Sequence, residues 1–201
     1  MLRKVLWATI AVMLASCRTV PVHETPAGPG PGQTQSWEVR RPQLQARERF
    51  ALKGRVAVAT GSDGFNARLR WTQDGKQTHM SLDGPLGAGG VQVTSDGSAV
   101  SIVTSRGDRL ENDAARAELT NRLGFDPPID SLRYWVLGVP EPGRPAQESL
   151  DALQRLASLE QDGWQIQYTD YMLVGGEWLP SKLTVQRQGV RLRLVVDGWN
   201  S

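Results

Sequence analysis

The stretch Phe65-Asn66-Ala67-Arg68-Leu69-Arg70-Trp71 decides the fold class, because its odd positions are apolar and its even positions polar. Side chains alternate across a strand, so such a run has one dry face and one wet face. The same pattern extends outward in both directions. Val56 and Val58 alternate before it; Met80 with Leu82, Val91 with Val93, and Val100 with Ile102 follow. In the C-terminal half, Trp164, Ile166 and Tyr168 share a face, as do Leu183 and Val185, and then Val190, Leu192, Leu194 and Val196. Asp74-Gly75, Asp96-Gly97, Asp162-Gly163, Gly175-Gly176 and Gln188-Gly189 separate these runs, and such dipeptides favour tight turns. The reading is a mainly β fold, an antiparallel sheet of about ten or eleven strands in hairpin succession.

A sheet of that size must curl or be covered, since its apolar face cannot stay in water. Three segments interrupt the alternation with helical spacing. Glu111–Leu123 has Asn112 or Asp113 as a cap, an Ala-rich interior and Gly124 just past its end. Ser131–Gly138 follows two prolines, with Asp130 as cap and Leu132, Trp135 and Val136 on one face. Ser36–Phe50 has Trp37, Leu44 and Phe50 spaced for a short amphipathic helix, with Pro42 near its start. Leu150–Leu159 reads as a helical turn leading into a strand. The expected architecture is a strongly curved antiparallel sheet, a barrel or half-barrel, partly plugged by short helices. Arg68, Arg70, His79, Lys182, Thr184, Arg191 and Arg193 fall on the outward face, which is not the surface of a barrel facing lipid.

The N-terminus carries a different signal. MLRKVLWATIAVMLASC has two basic residues, an apolar run from Val5 to Ala15 and then small residues, the layout of a secretory signal. That run is too short to span a bilayer as a permanent helix. Leu14-Ala15-Ser16-Cys17 resembles the bacterial lipobox, whose processing acylates the cysteine and removes residues 1–16. Cys17 is the only cysteine, so no disulfide forms within the monomer. Residues 17–36 are rich in Pro and Gly and cannot bury a core, so they read as a flexible tether. The folded domain is expected over residues 37–201. Arg18, rather than an acid, follows the cysteine, as in cargo bound for the outer membrane.

Several function classes lack the residues they need. The chain has 23 basic and 21 acidic side chains, and removing residues 1–16 takes away Arg3 and Lys4, leaving 21 of each. A neutral surface argues against nucleic acid as a partner. His23 lies in the tether and His79 on the wet face, so neither a Ser-His-acid site, a Cys-His site nor an ordinary zinc site can be assembled. Gly87-Ala88-Gly89-Gly90 lacks the spacing of a phosphate or dinucleotide loop. Glu160, Asp162 and Asp170 flank a hairpin and read as solvated turn acids. No enzyme, metal or cofactor is expected.

The motifs LKGRVAV (52–58), DGPLG (83–87), SLRYWVLGVPEPG (131–143), LEQDGWQIQY (159–168) and LRLVVDGW (192–199), with the Trp71 strand, resemble the LolB family of outer-membrane lipoprotein receptors. The likeness covers residues 48–199. It implies an incomplete, half-open β-barrel with helices closing a hydrophobic cavity, and a monomer anchored through Cys17 at the periplasmic face of the outer membrane. It implies that acylated lipoproteins are accepted from a LolA-like periplasmic carrier and inserted into outer-membrane lipid without an energy source. A triacylated cargo has about 45 CH₂ groups, whose exposure costs on the order of 30 kcal/mol, so an apolar hollow is the essential feature. The inward-facing candidates on the early strands are Val56, Val58, Phe65, Leu69, Trp71, Met80, Leu82 and Ile102. Later come Trp135, Trp164, Leu183, Leu192 and Leu194. Leu86, flanked by Pro85 and Gly87, is the one large apolar residue of its loop, and the resemblance implies a membrane-insertion role for it. The alternative is a lipid-sensing or ligand-binding module without transfer activity.

Overall fold

The structure, a computed structural model, describes residues 35–61, 63–84 and 89–200. In chain order the elements are α1 (Trp37–Gln45), β1 (Arg49–Thr60), β2 (Asp63–Asp74), β3 (Gln77–Asp83), β4 (Val91–Ser95), β5 (Val100–Thr104) and β6 (Arg109–Glu111). Two helices follow, α2 (Asn112–Leu123) and α3 (Ile129–Trp135). Then come β7 (Ala146–Leu150), β8 (Leu156–Gln161), β9 (Trp164–Val174), β10 (Glu177–Arg187) and β11 (Val190–Asn200).

All strands form one 11-stranded antiparallel sheet in the order β6-β5-β4-β3-β2-β1-β11-β10-β9-β8-β7. It consists of two meanders joined where β1 pairs with β11, while β6 and β7 form the two free edges, so the sheet does not close. The expected half-open barrel is the observed fold. Alternation sets the register. Leu69 and Trp71 stand opposite Leu82 and Met80 of β3, and Trp71 opposite Leu52 of β1, which puts the apolar rows on one face. Arg68 and Arg70 are exposed on the other.

The sheet bends at Gly54. Pairing between β1 and β11 shifts register between Lys53 and Gly54. A Cβ at Gly54 would lie 2.3 Å from the Val195 carbonyl oxygen, so only glycine permits this approach. The curl gathers buried side chains into a large cluster running from α1 and α3 to β8–β11 and a smaller one beneath α2, comprising Val91, Val93, Val100, Ile102, Ala115 and Leu119.

Helix α1 is held at the β7 edge. The Trp37 indole donates to Glu148 Oε2 at 2.7 Å, and the buried Arg40 guanidinium donates to the Gln154 carbonyl at 3.0 Å. Desolvation lowers the Arg40 pKa from its ordinary value. Helix α2 ends at Gly124, in the left-handed region with φ 78°, as expected of a glycine stop.

Three local expectations are corrected. Residues 151–155 form a hairpin turn between β7 and β8 rather than a helical turn, with Leu150 paired to Leu156. The cap positions are Glu111 and Pro128, without side-chain caps, so Asn112, Asp113 and Asp130 do not cap. Pro42 lies well inside α1, and Phe50 belongs to β1 rather than to the helix.

Candidate functional site

The concave face holds a cavity of about 80 Å³ lined only by apolar side chains. Its floor is built by alternate residues of the central strands: Val56 and Val58 from β1, Phe65, Leu69 and Trp71 from β2, and Met80 and Leu82 from β3, with Leu183, Leu192 and Leu194 from β10 and β11. These ten were expected to face inward, and period-two alternation places them there. The roof comes from the helices and their linker: Leu119 and Leu123 of α2, Phe125 and Pro127, and Ile129, Leu132 and Val136 on and after α3. Val93 of β4 completes the wall.

Three expected residues do not line the cavity. Ile102, fully buried, packs under α2 with Ala115 and Leu119. Trp135 is also fully buried and turns toward β8, where its indole donates to Gln161 Oε1 at 2.9 Å. Trp164 packs against Trp135 and Phe125, with ring centroids 6.3 and 5.7 Å away. Both tryptophans fill the space between α3 and the β8–β9 hairpin, which a short helix would otherwise leave empty. Cys17, Pro85, Leu86 and Gly87 lie outside the described residues.

The sequence reading missed most of the roof. Leu119 and Leu123 are four apart in an otherwise polar, Ala-containing helix, and that spacing was the available signal. Leu132 and Val136 carry the same signal in α3. Phe125 and Pro127 sit in irregular backbone, where no periodicity applies.

Helix α3 is fixed over the sheet by buried polar contacts. Gln161, 1% exposed, accepts from the Trp135 indole and from the Glu141 N–H, each at 2.9 Å, and donates to the Glu141 carbonyl at 3.0 Å. The Tyr168 hydroxyl donates to the Trp135 carbonyl at 2.9 Å, and desolvation in the core raises the phenol pKa well above its ordinary value. Arg133 reaches the β2–β3 turn and donates to the Gly75 carbonyl at 3.0 Å, its guanidinium lying 4.9 Å from the Tyr134 ring. By contrast α2 packs through apolar Ala115 and Leu119, and its one side-chain hydrogen bond among the described residues, from Arg122 to Glu118, stays within the helix. The two roof helices are therefore held unequally.

Chemically the site offers apolar area and shape. Among the described residues no group of three or more His, Cys, Asp or Glu is placed to hold a metal, and no helix is long and apolar enough to cross a membrane.

The family model "Outer membrane lipoprotein LolB" matches residues 48–199. The chain belongs to the LolB family. An outer-membrane lipoprotein LolB of Pseudomonas paraeruginosa is 35% identical over 198 residues, covering 98% of this chain and 96% of that protein. One from Nitrosococcus oceani is 36% identical over 189 residues, covering 94% and 92%. Among solved structures, a DUF1329 family protein from Desulfovibrio piger superposes with TM-score 0.56 at 10% identity, covering 82% of this chain and 90% of that one. A LolA superfamily protein from Nitrosomonas europaea does so with TM-score 0.53 at 11% identity, covering 83% and 93%. These two show the fold. As a LolB-family member the chain is an outer-membrane lipoprotein receptor, a localization factor with a role in lipoprotein trafficking.

Proposed function

We propose that the cavity takes up the acyl chains of lipoproteins delivered by a LolA-like periplasmic carrier, and that the domain then releases them into the inner leaflet of the outer membrane. In this reading residues 1–16 are removed, Cys17 is acylated and residues 17–36 tether a monomeric domain of residues 37–201. The observation that carries it is the wholly apolar hollow beneath helical segments, with its floor drawn from five neighbouring strands.

Size adds a condition. A cavity of about 150 Å³ accommodates benzene, and this one measures about 80 Å³. A fatty chain is far larger, so uptake requires the roof to move. Helix α2, which has no side-chain hydrogen bond to the sheet among the described residues, is the element that gives way, while α3 stays on its Gln161 and Arg133 contacts. Transfer then runs by differential affinity between carrier, receptor and membrane, which requires no nucleotide.

The test is to incubate carrier-bound lipoprotein with the full chain, without ATP, and follow the cargo by co-precipitation. Cargo moves to the wild-type chain. It does not move to a Leu192→Glu variant, because a carboxylate in the hollow is costly to desolvate and takes the place of apolar area. Transfer that is unaffected by Leu192→Glu would overturn the cavity assignment.

A further inference from the structure

The convex face carries a concentration of positive charge that the cavity does not use. The whole chain has a net charge of only +2, yet Lys53, Arg55, Arg68, Arg70, Arg191 and Arg193 all project outward from three adjacent strands, β1, β2 and β11. The strand register puts like charges directly opposite one another: Lys53 faces Arg70, and Arg55 faces Arg68. Such pairs destabilise a sheet unless an anion lies between or above them. Two carboxylates on this face supply part of that. Asp197 bonds Arg55 at 2.9 Å, and Asp83 bonds Arg70 at 2.8 Å. Arg68, although opposite Asp83 in register, has no salt bridge among the described residues, and neither do Lys53, Arg191 and Arg193. At the margins, Lys182 pairs with Asp170 and Arg49 with Asp74.

Of these basic side chains, Arg55, Arg68 and Arg193 line an open groove of about 330 Å³, together with Asn66, Val195, Asp83 and Gly84. Gly84 is where β3 has ended and the chain enters the 85–88 segment. Guanidinium groups around a shallow groove match phosphodiesters, which they bind through forked hydrogen bonds.

We propose that this convex basic face docks on an anionic phospholipid surface, with the groove between Arg68 and Arg193 receiving headgroup phosphates. The occupant is a bilayer rather than a protein because the chain is an outer-membrane lipoprotein and works beside such a surface. Docking there would set the domain's orientation on the membrane. The inference rests on that membrane location and not on cargo uptake.

The experiment uses the mature chain of residues 17–201 carrying Cys17→Ala, so that neither the expected acyl anchor nor the apolar Val5–Ala15 run contributes to binding. It is floated with vesicles of phosphatidylcholine alone or with about a third phosphatidylglycerol. Binding to the anionic vesicles is expected, with loss at ~1 M NaCl, where the Debye length falls to about 3 Å. Each basic residue near an anionic surface is worth about five-fold in affinity, so Arg68→Gln with Arg193→Gln should weaken binding roughly 25-fold. A control with the same charge change elsewhere, Arg106→Gln with Arg116→Gln, should bind like the parent. Equal binding to both vesicle types overturns the proposal, as does an equal loss in the control pair. Salt-sensitive capture of the LolA-like carrier with no vesicle binding overturns it in favour of a protein partner. Cargo uptake from the carrier in solution is expected to be unchanged in Arg68→Gln/Arg193→Gln, which separates failure here from failure of the transfer assignment.

Discussion

Replacing Gln161 by Leu tests whether α3 is held by one buried amide. Gln161 Oε1 accepts from the Trp135 indole and from the Glu141 backbone N–H, each at 2.9 Å, and its Nε2 donates to the Glu141 carbonyl at 3.0 Å. Leucine has a similar volume and meets none of these groups. Trp135 is fully buried, so its N–H is left without a partner, at a cost of about 1–3 kcal/mol. Glu141 is partly exposed, so water recovers some of what its backbone loses. The total is about 2–4 kcal/mol. For a domain of this size each kcal/mol moves Tm by about 2–4 °C, so the fall should be roughly 5–15 °C. Thermal unfolding followed by circular dichroism and by tryptophan fluorescence measures it. Leu132 and Val136 of this region line the cavity, so uptake of a hydrophobic fluorophore should fall as well, even well below Tm. A Tm within about 2 °C of the parent would refute the reasoning, because it would mean that the buried amide does not fix the helix.

Gly54→Ala forces a Cβ against the Val195 carbonyl in a strand paired on both sides, which should cost about 3 kcal/mol and lower Tm by roughly 6–12 °C in the same assay. Leu86→Glu should leave cargo acceptance intact and slow insertion into liposomes; insertion at the parental rate would remove the loop from the proposed function. Asp96 receives hydrogen bonds from the Ser98 and Ala99 N–H groups and the Ser98 hydroxyl, which hold its pKa at about 2, below the usual 3.8. Its folded-state pKa is depressed, so the stabilisation it gives the β4–β5 turn is fully present above about pH 4 and is lost as pH falls through 2. Asp96→Ala should therefore be less stable than the parent at neutral pH and converge with it in strong acid, as read from paired melts across pH.

The strands were legible because each carries its signal locally. In Phe65–Trp71 polarity alternates residue by residue, and burial follows it from Ala67 to Trp71. The β7–β8 hairpin shows how that signal fails. Leu150, Leu153 and Leu156 are three apart, like a helix face, yet Leu150 and Leu156 pair across a tight turn and Leu153 sits exposed at its tip, 43% accessible. A short turn between apolar strand ends produces the same spacing as a helical stripe. Likewise Leu132, Trp135 and Val136 form one face on a helical wheel, but the structure divides them. Trp135 is drawn toward Gln161, a partner 26 residues away in sequence, while Leu132 and Val136 face the cavity. Long-range hydrogen bonding made that choice, and periodicity carries no trace of it. Alternation alone left a closed or a half-open barrel undecided, since closure depends on which strands meet in space; the likeness to the LolB family supplied the half-open form.

The small cavity and a roof helix, α2, that has no side-chain hydrogen bond to the sheet among the described residues belong to one physical requirement. A permanently open apolar trough would bind lipid avidly but would also be a site of aggregation. Closing α2 over it hides Leu119 and Ala115 and half-buries Leu123. At about 1.5–3 kcal/mol for a fully buried leucine, reopening should cost roughly 3–6 kcal/mol. An acyl chain regains about 0.8 kcal/mol for each CH₂ that it buries, so even a partly inserted chain offsets the opening cost. Cargo thus selects an open form that is rare without it. The consequence is measurable by native-state hydrogen exchange. Amides of α2 should exchange through an opening of about 3–6 kcal/mol, while those of β1 and β11, paired on both sides at the sheet centre, exchange only near global unfolding. If α2 proves as protected as β1, the roof does not open locally, and acyl chains must enter through a rearrangement of the sheet itself.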